Sequence, residues 1–461
     1  MTGKFDNQQT GAGDNRKELT MAESLTRRQF TAGAVAISAT GAFVRAARGG
    51  AAHAKGVRVG FVGVGGRGAG MLRHSLGIKG VNVRAVCDIN SARAGGAADM
   101  VARTGQKRPE TYVKGDSDFK RMMDRDDLDA VFIATPWEFH APMAIYAMKR
   151  KQYVGVEVPC AITLDECRQL VETSEETGIP CMMMENWSFR RDNLAVLNMI
   201  RKGLFGEIVH CHCAHSHNCV GWYMGKKWPA RHLLKRCADQ YPTHSLGPVL
   251  SWMDINCGDR IDTVVSMATN QWGITDQLSR QHGKDHPTAK LDWKQGDIVT
   301  TMARTVKGKT IVINMDMQLP RPYDNRWLIQ GTRGLYNEQR NAVYLSGDGK
   351  GNAPEKWSPF APHQAKYEHR WWRGRDSPGG RYARSGHGGV DPLELTLFFD
   401  AVRNKTQTPI DVYDSVVMSC IFPLSEISIA RGSQPVKCPD FTGGKWETTK
   451  PKFAVDKDFT K

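Results

Sequence analysis

The chain has 461 residues, 40% of them hydrophobic and 24% charged, with a formal net charge of +15. That length suits two or three globular domains, and the composition excludes a disordered or collagen-like chain. The basic residues are scattered and form no recognisable nucleic-acid module, so the charge points to acidic or anionic glycan partners at long range and not to nucleic acid.

Near the N-terminus, Ser24-Leu25-Thr26-Arg27-Arg28-Gln29-Phe30 precedes the mildly apolar Thr31 to Val44. This is the pattern of a twin-arginine export signal, with a small-residue cleavage site at Ala52-His53-Ala54. The apolar run is too short to span a bilayer, so no stable membrane anchor is expected. Residues 1–54 are read as signal peptide and linker. They hold seven basic and four acidic groups, which leaves +12 on the remainder. Twin-arginine export machinery carries folded proteins, so a periplasmic or secreted protein is expected, loaded with any cofactor before export. The eleven cysteines are odd in number and irregularly spaced. Cys87, Cys167 and Cys181 lie in apolar runs, which reads as buried free thiols.

From Val57 the pattern alternates strand and helix. Val57 to Val62, Asn82 to Cys87, Ala130 to Ala134, Tyr153 to Val156 and Cys181 to Met184 read as buried parallel strands. The clearest helix between them is Thr163 to Thr177, where Thr163 and Glu166 make a capping box and Leu164, Cys167, Leu170 and Val171 share a face. The expected fold class is α/β, with a Rossmann-type doubly wound parallel sheet over residues 55–182. After a helix at about Asp192 to Arg201 the texture changes. Ile208 to His217, Ile261 to Met267, Ile298 to Val306, Thr310 to Gln318, Trp327 to Gly331 and Gly334 to Ser346 are strand-like, with a turn at Lys307-Gly308-Lys309. Residues 183–461 are therefore expected to form an α+β domain with a large, mostly antiparallel open sheet. Residues 349–389 read as a long loop, followed by a helix from about Pro392 to Arg403.

Gly63-Val64-Gly65-Gly66-Arg67-Gly68 follows the first strand and opens a helix. The first glycine permits a tight turn, the second lets a pyrophosphate approach the backbone, and the third allows close helix packing. Helix N-terminal amides would face the phosphates. Asp88 ends the second strand, where its carboxylate would accept ribose hydroxyls and repel a 2′-phosphate, favouring NAD over NADP. Free NAD is scarce outside the cytoplasm, so an exported chain is expected to retain it, and a retained cofactor suits a reaction with no net oxidation.

Ala134-Thr135-Pro136-Trp137-Glu138-Phe139-His140 and then Val156-Glu157-Val158-Pro159 resemble the Gfo/Idh/MocA oxidoreductase superfamily, with Val158 in place of the usual Lys. Glu-Val-Pro with Thr-Pro-Trp-Glu-x-His is more similar to glycoside hydrolase family 109. The resemblance runs through Met184-Glu185-Asn186, Gly203-Leu204-Phe205-Gly206-Glu207, Tyr241-Pro242-Thr243-His244-Ser245-Leu246-Gly247-Pro248-Val249, Pro320-Arg321-Pro322-Tyr323, Gly386-His387-Gly388-Gly389 and Asp411-Val412-Tyr413-Asp414. It implies a bound NAD and hydrolysis of terminal α-N-acetylgalactosamine or a related glycoside. It places Gly63, Gly65, Gly66, Arg67, Gly68, Asp88, Thr135, Pro136, Trp137, His140, Glu157 and Asn186 at the cofactor. Tyr241, His244, His217, Tyr323 and Glu157 become the catalytic candidates, and kinship suggests a homo-oligomer.

NAD-dependent glycosidases are exceptions to the two-carboxylate rule. In the redox route the sugar is oxidised at C3, the ketone acidifies the C2 hydrogen, a base removes it, and the leaving group departs. Water then adds and the borrowed hydride is returned. Tyr and His suit the proton transfers this needs. Departures from the family pattern occur at His215, Asn218 and Phe189, and residues 220–237 match it poorly, which makes them the expected determinants of substrate choice. A sugar or inositol dehydrogenase of the same superfamily and an inactive sugar-binding relative are the alternatives. Cys211, Cys213, His215, His217 and Cys219 share one face of a strand and offer zinc-type ligands, but ligands in a row on one strand rarely converge on one ion. No metal is expected.

Overall fold

The computed structural model describes residues 56–226, 228–346 and 355–460. The export motif and its cleavage site lie outside the described residues.

Six parallel strands form the first sheet: β1 (Val57–Val62), β2 (Val81–Cys87), β3 (Glu110–Tyr112), β4 (Ala130–Ile133), β5 (Tyr153–Val156) and β6 (Cys181–Met183). Their order is β3-β2-β1-β4-β5-β6. The chain runs outward from β1 to β3 and then returns to the other side of β1. The crevice at the C-terminal ends of β1 and β4 is therefore the topological switch point, where such sheets bind ligands. The strands are apolar on both faces because helices cover both. Thr163 caps the Leu164–Thr177 helix with the full capping box, and Gly178 ends it in the left-handed conformation that a Cβ disfavours. The sheet continues through Met183, so the expected boundary at 182 cuts a strand.

The second sheet has nine strands: β7 (Ile208–Ser216), β8 (Ile261–Ala268), β9 (Ile298–Thr305), β10 (Thr310–Asp316), β11 (Leu328–Gly331), β12 (Gly334–Asn337), β13 (Ala342–Leu345), β14 (Ser358–Pro359) and β15 (Val436–Lys437). Its order is β14-β13-β12-β11-β7-β10-β9-β8-β15, and only β7 and β10 pair in parallel. Period two decides the faces of β7. Cys211 and Cys213 point into the core, while His210 and His212 bond Thr310 and Asn314 side chains in the neighbouring strand.

Two sequence expectations need correction. Residues 334–346 are a hairpin rather than a single strand, and the stretch read as a loop over 349–389 contains the Phe360–Lys366 helix. Phe360 is its fully buried anchor against Tyr336.

Among the described residues one helix, Val412–Ala430, is long and apolar enough to cross a membrane, yet it is mostly buried inside the protein. Its serines explain why. Ser415 accepts from Met183 N at 3.0 Å, Ser419 from Cys160 N at 3.1 Å, Ser425 from Asp239 N at 2.8 Å and Ser428 from Ser266 N at 2.9 Å. Each satisfies a buried amide that would otherwise be orphaned. The helix thus ties β6 and the loop after β5 to β8 and the segment before Tyr241. It fixes the cofactor side of the molecule against the second sheet.

Candidate active site

The fingerprint loop is shaped for close packing on one side and open on the other. Gly63 has φ +78°, and a Cβ there would lie 2.6 Å from the Ala134 carbonyl oxygen; at Gly68 it would lie 1.8 Å from the Gly63 oxygen. Neither position admits a side chain. On the outer side a Cβ at Gly66 would meet nothing within 4 Å. Asp88 accepts from Val64 N and from Asn90 N, each at 2.9 Å, and so fixes the loop while each oxygen keeps a lone pair for a further donor. Ile89 beside it is 70% exposed, an apolar floor next to the carboxylate. An open amide cradle, an acceptor at the end of β2 and an apolar platform fit the pyrophosphate, ribose and adenine of a dinucleotide.

Arg67 points away from this cradle towards the second domain. Its Nε donates to Glu157 Oε1 at 2.7 Å and its Nη1 to Asp391 Oδ2 at 2.9 Å. Asp391 sits in the first turn of the Val390–Asn404 helix and also accepts from Asn186 Nδ2 at 2.8 Å, while His387 Nδ1 lies 2.8 Å from its Oδ2. Hydrogen bonds and the charge of Arg67 hold the Asp391 carboxyl well below the usual range despite its burial. Burial prevails at Glu157 and pushes it up, even against Arg67. Among the described residues, Asn186 Oδ1 is buried without a hydrogen-bond partner.

A second carboxylate–imidazole pair lies close by. Glu185 is fully buried; its Oε1 accepts from Trp187 N and its Oε2 lies 2.7 Å from His244 Nδ1. Burial raises Glu185 to about 8 and drives His244 well below the usual imidazole range. Both shifts favour the neutral forms, because a dry site penalises charge. His244 starts the Thr243–Met253 helix, which the sequence reading did not delimit; Trp327 Nε1 donates to Ser245 O at its first turn.

Aromatic side chains join the two pairs. Trp187 lies 5.8 Å from His244, 5.5 Å from His387 and 5.9 Å from Tyr323, ring centre to ring centre. Tyr241 lies 4.9 Å from His244 and stacks on His215 at 5.0 Å. His217 lies 5.2 Å from Tyr323. Burial raises the hydroxyls of Tyr241 and Tyr323 above their usual range, so both are neutral donors. Four catalytic candidates, Tyr241, His244, His217 and Tyr323, are thus gathered into one cluster, with Glu157 held at its cofactor side by Arg67.

Two cofactor candidates are placed otherwise than the sequence suggests. His140 Nδ1 lies 2.7 Å from Pro159 O and its Nε2 2.9 Å from Thr135 O. Both ring nitrogens face backbone carbonyls, and the nitrogen carrying the hydrogen of the neutral ring donates to one of them, so His140 is packed between the Thr135-Pro136 loop and the Pro159 loop. Trp137 is buried beneath Tyr241, Trp228, His232 and Phe422 and acts through packing. The sequence alone gives no role to Glu185, Trp187 or Asp391, and it marks His215 as a departure from the family pattern and as one of a row of possible zinc ligands. The hint was adjacency: Glu185 precedes Asn186, and Asp391 stands four residues after His387.

Residues 57–185 match the oxidoreductase family with NAD-binding Rossmann fold, and residues 189–448 match the glycosyl hydrolase 109 C-terminal domain. The chain is 38% identical over 422 residues to an alpha-N-acetylgalactosaminidase of Tannerella forsythia, covering 87% of this chain and 89% of that one. It is 40% identical over 402 residues to a glycosyl hydrolase family 109 protein of Shewanella pealeana, covering 86% and 87%. Among solved structures, it is similar in fold to an NAD binding oxidoreductase of Klebsiella pneumoniae, with TM-score 0.62 and 18% identity over 84% of this chain and all of that one. Myo-inositol dehydrogenase of Lactobacillus casei, in complex with NAD(H) and myo-inositol, aligns with TM-score 0.58 and 16% identity over 85% and 99%. With a cradle that fits the dinucleotide and a match that spans nearly all the described residues, the chain belongs to glycosyl hydrolase family 109 and is an NAD-dependent glycosidase on an oxidoreductase fold.

Proposed function

We propose that the chain cleaves terminal α-N-acetylgalactosamine or a closely related glycoside outside the cytoplasm, by transient oxidation of the sugar. The observation that carries this reading is the pairing of two carboxylate–imidazole units, Glu185–His244 and Asp391–His387, on either side of Trp187. The relatives named for this sugar, similar over nearly the whole chain, support the substrate class. The twin-arginine motif supports the location.

NAD supplies reversible hydride acceptance at a sugar carbon. The protein's own groups then have to move protons. In the tautomer that carries its hydrogen on Nδ1, donated to Glu185 Oε2, His244 leaves Nε2 free to accept a proton from the sugar hydroxyl, and the Tyr241 hydroxyl beside it holds the oxygen. Abstraction at C2 needs a second base in the same cluster; His217 and Tyr323 line its open side. In its imidazolium form His387 donates Nδ1–H to the ionised Asp391 and can give its Nε2 proton to the departing glycosidic oxygen; the neutral ring left behind can then take a proton from water. Its ring is half exposed, as a group meeting both an aglycone and water must be. Glu157, fixed by Arg67, orients the cofactor side.

The test starts from protein purified without added cofactor, whose NAD content is measured. It is then given a panel of para-nitrophenyl glycosides in deuterated water. Expected are dye release without lasting reduced nicotinamide absorbance, and deuterium at C2 of the product. Lasting or acceptor-dependent reduced nicotinamide would instead make the chain a sugar dehydrogenase, and product retaining its C2 hydrogen would sink the elimination step.

A further inference from the structure

The poorly matching residues 220–237 form two short helices, Val220–Lys226 and Trp228–Lys235. They lean on the loop after β4. Trp228 and His232 pack on Trp137 at 5.1 and 5.2 Å. Next to Trp137, Glu138 receives Arg231 Nη2 at 3.0 Å on one oxygen and faces His232 Nε2 at 3.2 Å with the other. The segment's far end is tethered independently, because Arg236 bonds Glu426 and the Ile162 carbonyl. Along this arc Lys226 stands 4.5 Å over the Trp222 ring, and Trp222 packs on Trp228.

Two cations in this neighbourhood make no ion pair among the described residues. Arg93 brings Nη1 to 3.6 Å from where a Gly65 Cβ would be, directly at the fingerprint loop. Among the described residues neither Arg93 nor Lys226 makes a salt bridge, whereas Arg67 makes two. Lys226 lies in the field of Glu157, Arg93 and Arg67, and burial with the two neighbouring cations lowers its ammonium below the usual range against the pull of Glu157. Such a group gains from a nearby anion.

We propose that the helices Val220–Lys226 and Trp228–Lys235 form a clasp over the dinucleotide, latched to the Rossmann side by Glu138, and that Lys226 and Arg93 both face the NAD pyrophosphate at the fingerprint loop. The clasp rests on NAD binding and not on the choice of sugar. It gives retention a physical means. Release requires breaking the Glu138 contacts and parting two cations from a diphosphate, each contact charge-assisted. The same helices put Trp222 and Trp228 beside Tyr241 through Trp137, so the clasp also walls the sugar side.

The experiment uses the full chain carrying its co-purified NAD and measures the rate of NAD release into a trap, with thermal melting as a check on folding. Lys226→Met and Glu138→Ala are each expected to release NAD about tenfold faster than the parent chain, the worth of one charge-assisted contact. Arg231→Ala is expected to act in the same direction and less, because His232 still faces Glu138. Exchanging the charges, Glu138→Arg with Arg231→Glu, should slow release again relative to Glu138→Ala. The Lys226 effect should shrink in high salt, since exposed charges are screened. Release by folded Lys226→Met and Glu138→Ala within about twofold of the parent, a difference below one such contact, would overturn the proposal. Glycoside cleavage is read separately. Fast release in the variants of a chain that cleaves no glycoside would keep the clasp and sink the hydrolytic reading.

Discussion

The two carboxylate–imidazole pairs beside Trp187 match in geometry and oppose each other in electrostatics. Glu185–His244 spans 2.7 Å and Asp391–His387 spans 2.8 Å. The first is dry: among the described residues no Arg or Lys bonds Glu185, burial raises it to about 8, and His244 is pushed towards its neutral form. The second is wired to Arg67 and Asn186, which keep Asp391 ionised, and its imidazole reaches solvent. Environments that push like groups apart separate acid from base within one site. A neutral, buried imidazole suits hydroxyl deprotonation, and an anchored, half-exposed one suits proton exchange with a leaving group and water.

The sharpest way to break this contrast is Asp391→Asn. It removes the charge that orients His387 and also loosens Arg67, so turnover should fall on the order of a thousandfold, as when the carboxylate behind a catalytic histidine is neutralised. Steady-state rates alongside NAD content would check it; a loss explained by missing NAD alone would deny His387 its anchor. His387→Gln should cost about a hundredfold on alkyl glycosides and far less on para-nitrophenyl glycosides, whose leaving oxygen needs little acid assistance. Equal losses on both would take His387 off the leaving group.

Tyr241→Phe keeps the ring that packs on His215 and His244 and removes only the hydroxyl. Turnover should drop about tenfold or more with NAD content unchanged, within the range of a single positioned proton donor. Unchanged turnover would remove Tyr241 from the chemistry. The smallest effect concerns stability. Glu185 titrates near 4.5 in the unfolded chain and about 8 when folded. The folded form therefore binds more protons between those values, and its contribution to stability, full below 4.5, is lost as pH rises to 8. Glu185→Gln should flatten that stretch of the melting-temperature profile, and an unaltered slope would place the perturbed group elsewhere.

The parts of the fold set by local pattern were legible in the sequence. The capping box at Thr163, the apolar strands β1, β2, β4, β5 and β6, and the glycine fingerprint each carry their reason within a few residues. The Phe360–Lys366 helix was not legible, because its Pro- and Gly-rich surroundings mask one buried anchor, Phe360. The Val412–Ala430 helix was missed for another reason. It is apolar nearly all round, so it has no face for periodicity to find, and its serines look like surface residues until the amides they satisfy are seen.

The same division runs through the site. Tyr241, His244 and Tyr323 could be named from motifs, because residue type and order survive in one dimension. That Asp391 is held ionised despite its burial depends on Arg67, ninety residues before Glu157 and 324 before Asp391, meeting both carboxylates. That His140 sits between two backbone carbonyls depends on the Pro159 loop. The sequence by itself determined the cofactor cradle, the two sheet types and the family. Only the tertiary structure decided which acids are charged, because ionisation follows burial and the nearest opposite charge, and long-range packing sets both.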